Sequence, residues 1–174
     1  SFFAAEAYIR QHPTPMAIYP LRTVLGSGFH FTVGMLLVVA LSLWFLGFPG
    51  ILPILTLIPT ILMIFILAWS LSMIFGLFTV IFRDTKHISE IGLQILFYLT
   101  PVMYPPSVLE GRRVGYLLKL NPISPFLELV RDPLIYLKTP SLETFGVALA
   151  ITALTYTLAY SLLRSWEKRI IFHL

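Results

Sequence analysis

The sequence predicts an all-α, polytopic transmembrane protein, and three observations support this fold class. Hydrophobic residues make up 57% of the 174 residues. Charged residues make up only 11%, whereas a soluble domain carries about 25% because water must hydrate its surface. Between Arg22 and Arg83 there is no Asp, Glu, Lys or Arg. This gap of about 60 residues is long enough for two crossings of a bilayer core about 30 Å thick, with a turn between them.

Length and charge argue against several classes of protein. The chain has room for about four spans with their connections, but not for a separate catalytic domain. We attribute the formal net charge of +4 to basic residues at membrane surfaces, where they collect in cytoplasmic loops and near anionic headgroups. No basic patch is interleaved with aromatic residues in a polar context, so no nucleic-acid partner is predicted. The absence of cysteine excludes a disulfide framework and a thiolate metal site.

Residues 1–21 are predicted to form a short amphipathic helix followed by a proline-rich elbow. Glu6 and Arg10 are spaced i,i+4 in this helix, the favourable orientation for an ion pair. Three prolines then prevent a regular helix from continuing: Pro13, Pro15 and Pro20. The alternative is that this stretch is the frayed end of a preceding span. The chain begins at Ser1 without a signal-peptide pattern, and we expect its N-terminus to be truncated.

Residues 22–174 are predicted to form the transmembrane domain. Its four crossings are placed at residues 24–46, 51–81, 88–104 and 141–163, and the third is barely long enough to span. A tight uncharged turn, residues 47–50, joins the first two because Gly and Pro supply the dihedrals that it needs. The basic tail 164–174 is predicted to be cytoplasmic.

Polar residues inside the crossings leave two interpretations open. His30 either lines a polar pathway or is neutral and hydrogen-bonded to a neighbouring helix. The hydroxyl groups between Thr152 and Ser161 either hydrogen-bond between helices or line a wet path. Small residues in the first crossing predict close helix packing: Gly26, Ser27, Gly28 and Gly34.

Two polar segments interrupt the hydrophobic pattern after the second crossing. The first is a cytoplasmic elbow that begins Phe82-Arg83-Asp84, where Asp84 is predicted to cap the next helix at its positive end. The second, residues 105–140, is too polar and too often broken by proline to span. An interfacial or re-entrant pair of half-helices is predicted there, with protein or water covering the backbone. Basic residues are slightly more numerous on the elbow side, which weakly indicates that the elbow lies inside.

No catalytic constellation is found in the sequence. It contains no phosphate loop, no HExxH, no GxSxG and no carboxylate cluster at metal-ligand spacing. The four histidines are scattered over different elements: His12, His30, His87 and His173. The sequence therefore predicts neither a catalytic site nor a metal site, and a lipid-modifying enzyme is disfavoured.

The order of the motifs resembles a known family. A hydrophobic hairpin is followed by FRD, then by a short span ending TPVMYPP, then by LNPISPFLELVRDPL and a last span with a basic tail. This order resembles the type-2 ABC transporter permeases. Within them it is similar to the polysaccharide and polyol-phosphate exporters, which move O-antigen, capsule or teichoic-acid chains. Such permeases normally have about six spans, so this chain would lack the N-terminal interface helix and most of the first two.

The resemblance implies partners and a location. The permease would form a homodimer in the bacterial inner membrane and pair with two copies of a separate ATPase subunit. That subunit would bind ATP and Mg, and this chain would bind no cofactor. The substrate would be a lipid-linked polysaccharide. Residues 2–11, with the proline-rich elbow that follows them, match the cytoplasmic coupling helix, which gives Glu6, Arg10 and His12 as the contacts to the ATPase. Residues 105–137 match paired external gate helices, which implies that the elbow at Phe82 lies on the cytoplasmic side of the membrane.

The resemblance also suggests residues for the translocation path and its gate. They are Phe97, Tyr98, Pro101, Tyr104, Tyr116, Asn121, Pro122, Arg131 and Tyr136. The aromatic rings are candidates because flat rings pack against the C–H faces of sugars, and the alternative is that the tyrosines are interfacial anchors. Two other functions stay open: a drug or lipid efflux permease, and a membrane scaffold that transports nothing.

Overall fold

The computed structural model describes residues 17–82, 84–100 and 121–170, without the side chains of 81, 99 and 167–170. The described residues form helices and connecting turns. The helices are α1 (Ile18–Phe45), α2 (Ile51–Leu55), α3 (Leu57–Ile81), α4 (Thr85–Leu99), α5 (Ser124–Leu134) and α6 (Leu142–Ile170).

The predicted all-α, polytopic fold is confirmed for the described residues. Three helical stretches there are long and apolar enough to cross a membrane: Ile18–Phe45, Ile51–Val80 and Leu142–Trp166. They coincide with the first, second and last predicted crossings. The third predicted crossing differs, because α4 has 15 residues and a crossing needs about 20. Residues 101–104, which the prediction included, lie outside the described residues.

Proline and glycine determine where the second span begins and where it is interrupted. Gly47 and Gly50 have φ of 91° and 100°, left-handed values that glycine adopts without a steric penalty. The short break between α2 and α3 lies at Thr56. Pro59 explains this position, because proline has no backbone N–H to donate to the carbonyl of Leu55, four residues earlier. Thr56 and Thr60 add side-chain hydrogen bonds to the carbonyls of Pro53 and Thr56, 2.6 and 2.8 Å long.

Helix α3 lies at the centre of the bundle and packs against α1, α4, α5 and α6. Met63 shares a buried cluster with Ala148, and Met73 shares another with Ala159, so α3 and α6 run in parallel. Met35 of α1 packs beside Leu57, at the beginning of α3. Gly28 lies against Phe65, further along α3, so α1 is antiparallel to α3.

Helix α5 enters the bundle as a half-helix rather than lying on its surface. Its first turn packs beside Met63, near the middle of the span Ile51–Val80, through Phe126 and Leu129. Its last residue, Leu134, lies beside Leu57, where α3 begins. The chain therefore rises from the middle of the span towards its outer end, which agrees with a re-entrant arrangement for this part of the segment 105–140.

Of the three glycines expected to permit close packing in α1, Gly28 is the one with a tight contact among the described residues. A methyl group added at Gly28 would overlap the Phe65 ring of α3, whereas one added at Gly26 or Gly34 would meet nothing within 4 Å among the described residues. Gly28 therefore determines how closely α1 approaches α3.

We expect Gly28→Ala to destabilise the folded protein and Gly34→Ala to stabilise it slightly. The overlap with Phe65 costs about 1–3 kcal/mol as overpacking, which exceeds the gain of about 1 kcal/mol that alanine gives within a helix. Gly34→Ala should show only the stabilisation from the higher helix propensity of alanine, because nothing lies within 4 Å of the added methyl group. Unfolding titrations in detergent measure both variants, and equal stabilities would contradict the close α1–α3 contact.

Candidate functional site

A buried polar pair joins the end of α4 to the segment that leads into α5. The Asn121 side-chain amide donates a 2.8 Å hydrogen bond to the Thr100 hydroxyl. The hydroxyl donates to the Leu96 carbonyl at 2.7 Å, and the Asn121 side-chain oxygen accepts from the Ile123 N–H at 3.0 Å. Thr100 and Asn121 are 4% and 7% exposed. We call this pair the Thr100–Asn121 clasp.

The sequence explains why the clasp lies at these positions. The residue before a proline is pushed out of the α region by the proline ring. Thr100 precedes Pro101 and is extended, with φ of −83° and ψ of 130°, so α4 ends there. The Asn121 side chain then forms a local turn with the Ile123 backbone, a habit of asparagine at chain reversals. Thr100 therefore lies at the end of α4 and Asn121 in the turn before α5, and their side chains are free to bond to each other.

The end of α5 is fixed by a hydrogen bond from α1 and by its own turn. The Ser42 hydroxyl donates to the carbonyl of Leu134, one of the helix-end carbonyls that lack an intrahelical donor. Leu137 has φ of 54°, and the N–H of Lys138 reaches back to the Asp132 carbonyl at 3.1 Å. Arg131, a predicted path residue, is buried within this helix and only 9% exposed.

Charged groups meet where α5 leads into α6. The Lys138 ammonium lies 3.3 Å from the Asp132 carboxylate and 5.3 Å from the centre of the Tyr136 ring. The Ser141 hydroxyl accepts the Thr144 N–H at 3.1 Å and caps the first turn of α6.

A second contact joins the beginning of α1 to the bundle. The Trp69 indole N–H donates to the Ala17 carbonyl at 3.2 Å. The Trp69 ring lies 5.8 Å from the Tyr156 ring of α6, and Tyr156 stacks on Tyr160 with centres 6.4 Å apart. This aromatic group borders the buried cluster that contains Met73. It therefore ties together α1, α3 and α6.

The polar side chains inside the spans bond mainly to their own helices. His30 contacts the Gly26 carbonyl, 3.2 Å away on α1, rather than a neighbouring helix. Thr152, Thr157 and Ser161 donate to carbonyls three or four residues earlier in α6. An apolar environment favours these local bonds because they leave no hydroxyl unpaired. Among the described residues, these three hydroxyls therefore bond within α6 and not between helices.

The elbow that begins at Phe82 differs from its prediction in one respect. Asp84 does precede α4, but among the described residues its carboxylate makes no capping hydrogen bond. Its backbone is already helical, with φ of −69°, whereas a capping residue is normally extended. The Thr85 hydroxyl instead donates to the Phe78 carbonyl at 3.3 Å. Phe82 is exposed, and Arg83 lies outside the described residues.

The remaining predicted site residues are placed as follows. Phe97 and Tyr98 are exposed near the end of α4, with ring centres 5.8 Å apart. Pro122 is exposed and Tyr136 is about half-exposed. Besides Arg83, six predicted residues lie outside the part of the chain that the structure describes: Glu6, Arg10, His12, Pro101, Tyr104 and Tyr116. Between residues 17 and 170, where described, no group of three or more His, Asp or Glu side chains could hold a metal ion.

Sequence reasoning did not find the roles of Ser42, Trp69 and Lys138. Trp69 gave one usable signal, since it lies away from the span ends where tryptophan normally anchors. Ser42 and Lys138 gave none, because their partners are a helix-end carbonyl and a carboxylate that only the folded chain brings near. Thr100 was part of a recognised motif, but its partner was not predicted.

These features are those of a multi-pass helical membrane protein in which a half-helix enters the bundle beside the central span. Residues 5–135 match the ABC-2 type transporter family, and the chain belongs to this family. The resemblance drawn from the motifs is confirmed.

Two curated relatives share substantial parts of the sequence. Both are O-antigen export system permease proteins RfbA from Klebsiella pneumoniae. One is 26% identical over 136 residues, which cover 76% of this chain and 51% of the relative. The other is 27% identical over 128 residues, which cover 71% and 48%. The chain thus spans about half the length of the curated relatives it matches.

Proposed function

We propose that this chain is membrane permease machinery of an ATP-driven exporter that moves a lipid-linked polysaccharide across the bacterial inner membrane. The observation that carries the proposal is the 26% and 27% identity to two permeases named for O-antigen export. In this proposal the chain is a transport subunit and not an enzyme. It acts as a homodimer with two copies of a separate ATPase subunit, which binds ATP and Mg.

The arrangement of α4 and α5 supports a path for a polar polymer. Membrane-level polar groups are expensive in lipid and mark transport pathways when they face protein or water. Asn121 and Arg131 are such groups, and both are buried. Phe97 and Tyr98 present exposed rings on α4. We propose that these rings contact sugar C–H faces as the polymer passes.

The test of the energy source is co-purification of the protein with its candidate ATPase subunit. We expect a stable complex in mild detergent, and we expect Arg10→Glu to uncouple ATP turnover from export because Arg10 belongs to the proposed coupling helix. Arg164→Glu makes the same charge change on α6 and serves as the control. An ATPase that never co-purifies would remove the energy source and favour a scaffold that transports nothing.

The test of the substrate is deletion of the gene in its own host. If the chain exports a lipid-linked glycan, the glycan disappears from the cell surface and accumulates on its lipid carrier inside the cell. Complementation with the intact gene restores the surface glycan. Unchanged surface glycan, together with a complex that does turn over ATP, would favour efflux of a drug or lipid instead.

A further inference from the structure

The Thr100–Asn121 clasp lies where a polar contact has the greatest influence on helix position. Helix α4 starts at the elbow, and its 15 residues extend only about 22 Å at 1.5 Å per residue. The bilayer core is about 30 Å thick, so Thr100 ends α4 inside the membrane. Phe126, five residues after Asn121, packs beside Met63 near the middle of the central span.

The rest of α4 buries few side chains against the other described helices. Most of its side chains are exposed, among them Ile88, Ile91, Ile95 and Tyr98, whereas Thr100 at its end is buried. At the elbow, the Thr85 hydroxyl bonds to α3 through the Phe78 carbonyl. At the other end, Thr100 bonds to Asn121. Among the described residues, the clasp therefore ties the membrane end of α4 to the segment that leads into α5.

The polar atoms of the clasp are satisfied by one another and by nearby backbone. Asn121 uses its amide for Thr100 and its oxygen for the Ile123 N–H. Leaving a buried amide unpaired is costly because the surroundings offer no water. The closed clasp is accordingly much more favourable than an open one within the membrane.

We propose that Thr100 and Asn121 are positioning residues that hold the end of α4 against the entry of α5, so that the two helices move as one body during transport. The proposal rests on the proposed function, because the movement is that of the export cycle. The clasp acts by keeping the exposed rings of α4 at a fixed place relative to the half-helix α5.

Two variants of Thr100 separate the effect of its hydroxyl group from the effect of its side-chain shape. In the full-length permease with its ATPase, we expect Thr100→Val to lower glycan export about tenfold, which is the effect of a contact worth about 1.4 kcal/mol. ATP turnover should stay within about twofold. Thr100→Ser keeps the hydroxyl and should restore export. Export by Thr100→Val at the wild-type level would overturn the proposal, and so would a failure of Thr100→Ser to restore it.

A double variant tests whether the two residues act through one contact. Thr100→Val and Asn121→Ala break the same hydrogen bond, so their combination should lower export no further than the more damaging single variant. If the two losses multiply, the residues act independently and the clasp is not the cause.

A reversible cross-link tests the clasp as a mechanical link. The 174 residues contain no cysteine, so Thr100→Cys combined with Asn121→Cys introduces two defined thiols while removing the hydrogen bond. Export should be low before treatment, rise when a short thiol-reactive bis-methanethiosulfonate joins the two residues, and fall again on reduction. Each single cysteine variant is the control. If export stays low after the cross-link forms, joining the two residues does not restore transport, and the proposal is overturned.

A measurement that needs no substrate keeps this proposal separate from the proposed function. Spin labels at Ile95→Cys on α4 and Ile135→Cys beside α5 occupy exposed positions. In dimers that contain one doubly labelled protomer and one unlabelled protomer, and with the clasp intact, we expect a narrow distribution of the distance between the two labels that is the same without nucleotide and with trapped ATP. Thr100→Val should broaden it. Equal distributions with and without the clasp would overturn the proposal even if glycan export is established, and absence of glycan export by the wild type would count only against the proposed function.

Discussion

Trp69→Ala is expected to lower the free energy of unfolding by about 2–3 kcal/mol, which is below the range for fully buried aromatic residues because Trp69 is partly buried. The indole holds the beginning of α1 through the Ala17 carbonyl and contacts the Tyr156 ring of α6. Removing it opens a cavity beside the buried cluster that contains Met73. Unfolding in detergent, followed by the fluorescence of the remaining tryptophans or by circular dichroism, measures the change.

Two further variants divide this effect between the ring and the N–H. Trp69→Phe keeps an aromatic ring but loses the bond to Ala17, and we expect the loss of that bond to account for about 1 kcal/mol. Trp44→Ala removes a tryptophan that is 84% exposed, and it should change stability much less. If Trp44→Ala and Trp69→Ala had the same effect, the bridging role of Trp69 would be wrong.

Leu129→Ala is expected to lower the free energy of unfolding by about 2–5 kcal/mol, the range for truncating a buried leucine. Leu129 is fully buried in a cluster with Met63, Phe126 and Ala148. It fixes α5 against both α3 and α6. Because α5 is short, losing this contact should also release it from the bundle, which native-state proteolysis or cysteine accessibility would detect.

Ile135→Ala is the matched control for Leu129→Ala. Ile135 directly follows α5, is 56% exposed, and loses a similar number of carbon atoms on truncation. We expect a change of about 0.5 kcal/mol or less. A large loss at Ile135 together with a small loss at Leu129 would mean that α5 is held by a face other than the one that packs on Met63.

Hydrophobicity and proline placement predicted most of the helical architecture. The spans around residues 24–46, 51–81 and 141–163 were found because a helix needs about 20 apolar residues to cross a bilayer. The turn at Gly47 and Gly50 followed from the backbone freedom of glycine. The family followed from the order of short motifs, since FRD, TPV and NP have a spacing that composition alone does not produce.

Side-chain partners were less predictable because they depend on distances between helices. The sequence left His30 either on a polar path or bonded to a neighbouring helix, whereas its ring contacts the Gly26 carbonyl of its own helix. Asp84 was expected to cap α4, but its helical backbone places its carboxylate elsewhere. Four small residues in α1 suggested close packing, yet the tight contact involves Gly28. The contact of Gly28 with Phe65 depends on another helix, whereas the positions of His30 and Asp84 follow from the backbone of their own segments.

The sequence by itself determined that this chain is a helical membrane protein, where its spans lie, and the family to which it belongs. Those properties follow from local chemistry: apolar length, proline sterics and motif order. Only the tertiary structure decided that Thr100 meets Asn121, that Trp69 reaches Ala17, and that α5 begins beside Met63. Such contacts join residues far apart in the chain, and their free energy becomes available only when packing brings both partners out of contact with solvent or lipid.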